Sequence, residues 1–349
     1  MTPNPLLGVF FHALGGLAAG SFYLPFKRVR GWAWESYWLT GGFFSWVVAP
    51  LAAALALNSN LIAVYRAAPG GALFWTYAFG VLWGIGGLSF GLTMRYLGLS
   101  LGYALALGFC AAFGTIIPPL FMGEFGALVG APSGRVILLG VGICIAGISV
   151  CGRAGMRKEE ELSGEQKTSV IREFNFVKGV WIAMFAGVMS ACMAFAFAAG
   201  KPIAAAAAEI GTPPTFSNTP VLVVALLGGF TTNGLWCLFL NLRNGTVRDY
   251  LRAPDGALAA NYGFSALAGV TWYLQFFFYG MGTTRMGQYD FSSWTLHMAF
   301  IIVFSNLWGI LLREWFGASR RTHAMIAAGI AVLIASTLVV GYGNYLGAS

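Results

Sequence analysis

Charge is what this chain has least of: 12 acidic and 20 basic side chains are spread over 349 residues, 9% of the total, against 58% hydrophobic. That balance excludes an ordinary soluble enzyme and any disordered class. Histidine occurs only three times, and the five cysteines (Cys110, Cys144, Cys151, Cys192 and Cys237) fall in or beside apolar runs, with no pair at metal or redox spacing. They are expected as small buried hydrophobes in helix packing. A glycine-rich phosphate loop, a zinc ligand set and a Ser/His/Asp arrangement are all missing, so ATP-driven transport and familiar hydrolytic chemistry have no support. No metal and no cofactor is expected, and the chain does not read as an enzyme.

What it has instead is long apolar runs. Ten of them, at about 5-27, 36-57, 72-96, 100-122, 134-153, 177-200, 218-241, 261-284, 289-312 and 322-345, are of the length that crosses a lipid bilayer as a helix with every backbone hydrogen bond made internally. A β-barrel needs short alternating segments, and these runs are continuous. The expectation is an all-α polytopic membrane protein with ten transmembrane helices. The first run carries no Lys or Arg ahead of Leu14 and no clear small-residue cleavage site follows it, so it is expected to persist as a span and not to act as a signal peptide.

The net charge of +8 is topological, with no nucleic-acid partner implied. Of the 20 basic residues, only Arg66, Arg135, Lys201 and Arg285 fall in loops after even-numbered spans, and the rest follow odd-numbered ones. By the positive-inside rule both termini then lie outside the cytoplasm.

One stretch breaks the apolar pattern. Residues 154-175, with MRKEEELSGEQKTSVIREF, form a charged cytoplasmic linker between a first five-helix repeat, 1-153, and a second, 176-349. Five is odd, so duplicated halves must be inverted across the membrane, the plan of many secondary transporters. Three matches support duplication. Lys27 and Glu35 recur as Lys201 and Glu209 at one common displacement, and Thr93-Met94-Arg95 matches Thr283-Thr284-Arg285, each preceded by a Trp, Trp83 or Trp272. The 48 glycines suit close helix packing, and Pro118-Pro119, late in the fourth span, read either as a hinge or as a plain helix end.

Polar residues recur at helical spacing inside two apolar runs: Trp272, Gln275 and Tyr279 in one, Asp290, Trp294 and His297 in the next. Steps of three, four and seven return to one helix face, so each trio forms a ridge. An ionisable group costs about 2.5-3.5 kcal/mol at the centre of a span, so Asp290 and His297 are expected to face a polar cavity. Both are candidates for proton coupling, since burial moves their pKa values in opposite directions. Gln275 offers donor and acceptor to sugar hydroxyls, and Trp272, Trp294 and Tyr279 offer flat faces for stacking on a pyranose. The bland alternatives are a helix N-terminal Asp290, a core His297 bonded to a carbonyl, and aromatic packing.

Weaker candidates for the cavity are His12 and Tyr23, eleven residues apart in the first span, with Asn233 and Gln288 beside Tyr289. Lys27, Glu35, Arg95, Lys201 and Arg285 sit at helix ends, where they could form gate ion pairs or simply anchor the helices at the interface.

The segments YLPFKRVRGWAWE (23-35), WGIGGLSFGLTMRYLGLSLG (83-102), GKPIAAAAAEIG (200-211), WYLQFFFYGMG (272-282), QYDFSSWTLHM (288-298) and LREWFGASRR (312-321) closely resemble the bacterial L-rhamnose/proton symporter family of the drug/metabolite transporter superfamily, in order and nearly end to end. The resemblance implies ten spans, an inverted five-plus-five repeat, and uptake of a 6-deoxyhexose with protons. The chain departs from the enterobacterial pattern where Gly87, Ser89, Phe90 and Ala198 replace asparagine or tyrosine, and where a histidine before Gln288 is missing. With those amides gone, another 6-deoxy sugar such as L-fucose is an alternative substrate. An exporter of metabolites or drugs on the same scaffold, and an enzyme acting on lipid-linked sugars, are the remaining rivals. The enzyme would need clustered carboxylates, which the sequence lacks.

Overall fold

The computed structural model describes residues 3-97, 99-121, 123-161, 176-312 and 315-348, and among them every regular element is helical. In chain order the α-helices are α1 (Pro5–Ser21), α2 (Tyr23–Phe26), α3 (Trp34–Phe43), α4 (Ala49–Leu57), α5 (Leu61–Ala67), α6 (Gly70–Leu97), α7 (Leu99–Phe121), α8 (Phe125–Gly130), α9 (Pro132–Glu161), α10 (Phe176–Ala199), α11 (Lys201–Glu209), α12 (Thr219–Asn244), α13 (Leu258–Thr283), α14 (Ser293–Leu311) and α15 (Arg320–Ala348). A π-helical turn, Phe44–Val48, joins α3 to α4, and a 3-10 turn, Gly287–Ser292, precedes α14.

Among the described residues eight segments are long and apolar enough to cross a membrane, and they coincide with eight of the ten predicted runs. The other two predicted runs also fall on helices. In α7 the described apolar portion is Leu105–Leu120. α13 has 26 residues but carries Asn261, Ser265, Thr271 and Gln275, which lower its hydropathy. Large apolar side chains such as Leu6, Leu55, Trp181 and Leu338 are more than half exposed, as a lipid-facing surface requires.

The chain forms two compact units: residues 1-17, 85-194 and 282-349 in the first, and 18-84 and 195-281 in the second. Each draws on both predicted repeats, because a repeat is a relation of sequence and need not be a self-contained body. The predicted linker lies within the described residues only as far as Glu161, where it continues α9.

In the first unit α9 and α15 run antiparallel in a register read from glycine. Cβ atoms at Gly140, Gly147, Gly329 and Gly343 would press on Val340, Leu333, Cys151 and Ile137 respectively. As numbers rise along one helix they fall along the other. Small residues on both partners let the backbones approach, which is how helices gain contact where lipid supplies no hydrophobic drive. In the second unit α6 and α12 run parallel on the same device, with Gly80 against the Ala225 backbone and Gly84 against Thr232 and the Gly229 backbone.

Pro118 and Pro119 lie in the last turn of α7, which ends at Phe121, and Gly123 follows at φ +74°. The plain helix end is the reading that fits. Pro202 starts α11, where its missing N–H is not needed. The five cysteines are buried thiols.

Candidate functional site

α13 brings Trp272, Gln275 and Tyr279 into the second unit, three residues of one face as the spacing predicts. Gln275 is 5% exposed and its Nε2 has no hydrogen-bond partner, which an amide inside a membrane protein does not tolerate without a ligand or water. Tyr279 is buried, with its ring edge-on to Phe197 at 4.8 Å. Trp272 sits in an aromatic nest: Trp83 lies 5.4 Å away, Trp46 5.6 Å and Phe276 5.2 Å, the last two at steep angles. Trp38 continues the nest 6.2 Å from Trp46. Beside these rings opens a hollow with Phe22, Trp38, Trp46 and Trp272 among its walls.

Asn233 takes a supporting place. Its Oδ1 accepts from Trp38 Nε1 at 3.3 Å, and its Nδ2 donates to the carbonyls of Gly229 at 3.0 Å and Gly84 at 3.4 Å. The amide therefore fixes the Trp38 ring and ties α3, α6 and α12 together.

Tyr23 is 45% exposed, and the helix that was to carry it on one face with His12 is interrupted between α1 and α2.

The first unit holds the other trio. His12 and His297 are both fully buried, and the charge of one bears on the other. His12 lies against Gly282, where a Cβ would come within 2.6 Å of the imidazole Cε1. Asp290 belongs to the 3-10 turn ahead of α14 and is half-buried, so it introduces the helix that carries His297. Trp294 is 1% exposed. Its Nε1 donates to the Cys110 carbonyl at 3.0 Å, its ring lies where Gly114 lacks a side chain, and His297 is 6.4 Å away centre to centre. That geometry makes Trp294 a packing anchor for α7 on α14. Thr115 and Thr295 add a 2.6 Å hydroxyl pair along the same contact.

The chain matches the family model described as L-rhamnose-proton symport protein (RhaT) over residues 1–345. It belongs to that family. Among its relatives are the L-rhamnose-proton symporter of Cronobacter sakazakii, 39% identical over 340 residues, and that of Escherichia coli, 38% identical over 343 residues. Both alignments cover 97% of each chain. A member of this symporter family is a multi-pass membrane transporter and not an enzyme.

For this symporter-family chain the predicted helix-end charges take varied places. Glu35, 6% exposed, accepts at Oε1 from Asn244 Nδ2 and Thr246 Oγ1, both at 2.9 Å, so amide and hydroxyl hold it. Next to it Asp249 Oδ2 takes the Ala33 N–H and the Ser36 hydroxyl, each at 2.8 Å. Asp249 thus ties the start of α3 to the segment after α12. Burial raises the Tyr250 hydroxyl in this cluster to about 12, so it is a neutral hydrogen-bonding group under ordinary conditions. Lys27 and Lys201 are exposed, and Arg285 lies in the turn after α13, its carbonyl accepting the Asn4 N–H at 3.0 Å. The side chains of Arg95, Gln288 and Tyr289 lie outside the described ones. Among the described residues no three of His, Cys, Asp or Glu are grouped to hold a metal.

Sequence reasoning missed Trp38, Ser45, Trp46 and the part played by Trp83. A lone Trp in an apolar run carries no sign of which face it takes, and the π-helical turn that turns Ser45 and Trp46 has no signature in the residues themselves.

Proposed function

We propose that the protein imports L-rhamnose together with protons across the bacterial inner membrane. The observation that carries this reading is the family match over nearly the whole chain, joined by relatives of 38–39% identity that bear the name L-rhamnose-proton symporter. Ten spans in an inverted five-plus-five repeat, divided by the 154-175 linker and with both termini periplasmic, give the architecture, and alternating access gives the cycle. The proposed sugar contacts are Gln275, by its amide, and Trp272 and Tyr279, by their faces. Gln288 remains a proposed contact, and Asn233 supports the site through Trp38.

Proton coupling is assigned to His297 or Asp290, with His12 as the neighbour. Proton and sugar together favour the occluded form, and neither alone shifts the equilibrium enough. The helix-end charges Lys27, Glu35, Arg95, Lys201 and Arg285 act in gating or in anchoring the helix ends.

L-fucose is the second reading of the substrate, favoured by Gly87, Ser89 and Ala198 standing where relatives have amides; a Cβ at Gly87 would meet open space. The test is radiolabelled sugar uptake into proteoliposomes. L-rhamnose should accumulate against its gradient and lose that accumulation on adding a protonophore. Concentrative uptake without a proton gradient would remove the coupling, and uptake of L-fucose in preference would change the substrate.

A further inference from the structure

The hollow beside Trp272 has walls of hydrocarbon and indole except at two groups. Ser45 and Trp46 both line it, at 2% and 4% exposure, and neither Ser45 Oγ nor Trp46 Nε1 has a hydrogen-bond partner. Buried polar atoms are nearly always paired, so two adjacent exceptions on the wall of one hollow point to a ligand that supplies the missing partners. The backbone gives a reason for their placement. Phe44–Val48 is a π-helical turn, a costly departure from α-helix that recurs at functional sites because it re-aims side chains. Gly42 leaves room for the result, since a Cβ there would come within 2.5 Å of the Trp46 ring.

We propose that this hollow receives the methyl end of the 6-deoxyhexose, and that Ser45 and Trp46 bind the oxygens beside that methyl. The proposal rests on the sugar-transport reading above and assigns the part of the site that recognises the missing 6-hydroxyl. The chemistry matches group by group. The methyl carbon is the one wholly apolar corner of the sugar, and the rings of Trp38, Trp46 and Trp272 surround it with apolar contact. Next to it are the ring oxygen, which only accepts, and the 4-hydroxyl, which donates and accepts. The indole N–H only donates and the serine hydroxyl does both. A hydroxyl on C6 would meet an apolar wall with both polar groups already engaged.

L-mannose differs from L-rhamnose only by the C6 hydroxyl, so the pair isolates the contact. Equilibrium binding of both sugars is measured on purified wild-type protein, Trp46→Phe and Ser45→Ala, with the thermal midpoint of each. Trp46→Phe keeps an aromatic ring and removes the N–H. Wild-type protein is expected to prefer L-rhamnose by about 10- to 100-fold, and each variant to bind it about 3- to 10-fold more weakly at an unchanged midpoint. If wild-type protein binds L-rhamnose but both variants bind it as well, or L-mannose binds equally, the assignment is overturned while the transport reading stands. If wild-type protein does not bind L-rhamnose, both fall. Should Trp46→Phe lower the midpoint, Ser45→Ala decides.

Discussion

The indole rings of Trp83 and Trp272 lie 5.4 Å apart, tilted by 41°. These are the two residues that the sequence pairs as counterparts, each upstream of a Thr-x-Arg helix end. Counterparts in an inverted duplication meet only close to the axis that relates them, so this contact supports the proposed repeat. An aromatic pair of this kind contributes about 0.5–1.5 kcal/mol beyond its buried area. A double-mutant cycle on Trp83→Leu and Trp272→Leu, read by unfolding in detergent, should return a coupling in that range. A coupling near zero would mean that the rings are neighbours without an energetic link.

The glycine register of α9 on α15 makes a paired prediction. A Cβ at Gly147 would lie 2.9 Å from the Leu333 side chain and 3.1 Å from its backbone nitrogen, whereas one at Gly142 meets nothing within 4 Å. Gly147→Ala should therefore lower stability by about 1–3 kcal/mol through overpacking. Gly142→Ala should leave it equal or up to about 1 kcal/mol higher from helix propensity. Thermal unfolding of the two variants side by side checks the difference.

Glu161, at the end of α9, ties that helix to the start of α15. Its Oε1 accepts from the Ser319 hydroxyl at 2.6 Å and the Thr322 hydroxyl at 2.8 Å, and its Oε2 takes the Ser319 N–H at 2.6 Å. Those donors, Ser319 foremost, pull its pKa from an ordinary 4.5 to about 2. A depressed carboxylate contributes stability that is complete above the unfolded value and is lost as pH falls through the folded one. Wild type should therefore unfold at a higher temperature than Glu161→Gln at pH 7. The gap should narrow below about pH 4.5 and close toward pH 2. A gap that grew on acidification would contradict the assignment.

His297→Gln keeps a polar side chain and removes a titratable one. L-rhamnose binding and sugar-for-sugar exchange should survive within about threefold, while accumulation driven by a proton gradient should fall to the level of passive equilibration. Asp290→Asn is the parallel variant, and whichever of the two uncouples uptake without abolishing exchange is the proton carrier.

The helices were legible because long apolar runs admit one solution in lipid, and α9, α12 and α15 follow the predicted spans closely. The trio Trp272, Gln275 and Tyr279 was legible because a helical period survives folding unchanged. Trp294 has partners that spacing along α14 cannot show: its indole N–H finds a carbonyl on α7 and its ring a notch at Gly114. The hollow at Ser45 and Trp46 was invisible for a related reason, since a π-helical turn comes from packing and leaves no periodic trace.

Charge movement tests the central claim most directly. In proteoliposomes on a solid-supported membrane, a jump in L-rhamnose concentration at symmetric pH should drive a positive current in the direction of sugar flux. That current should grow as pH is lowered from 8 toward 6 and vanish in the variant that uncouples uptake. Sugar crossing the membrane with no current and no pH dependence would contradict proton-coupled symport.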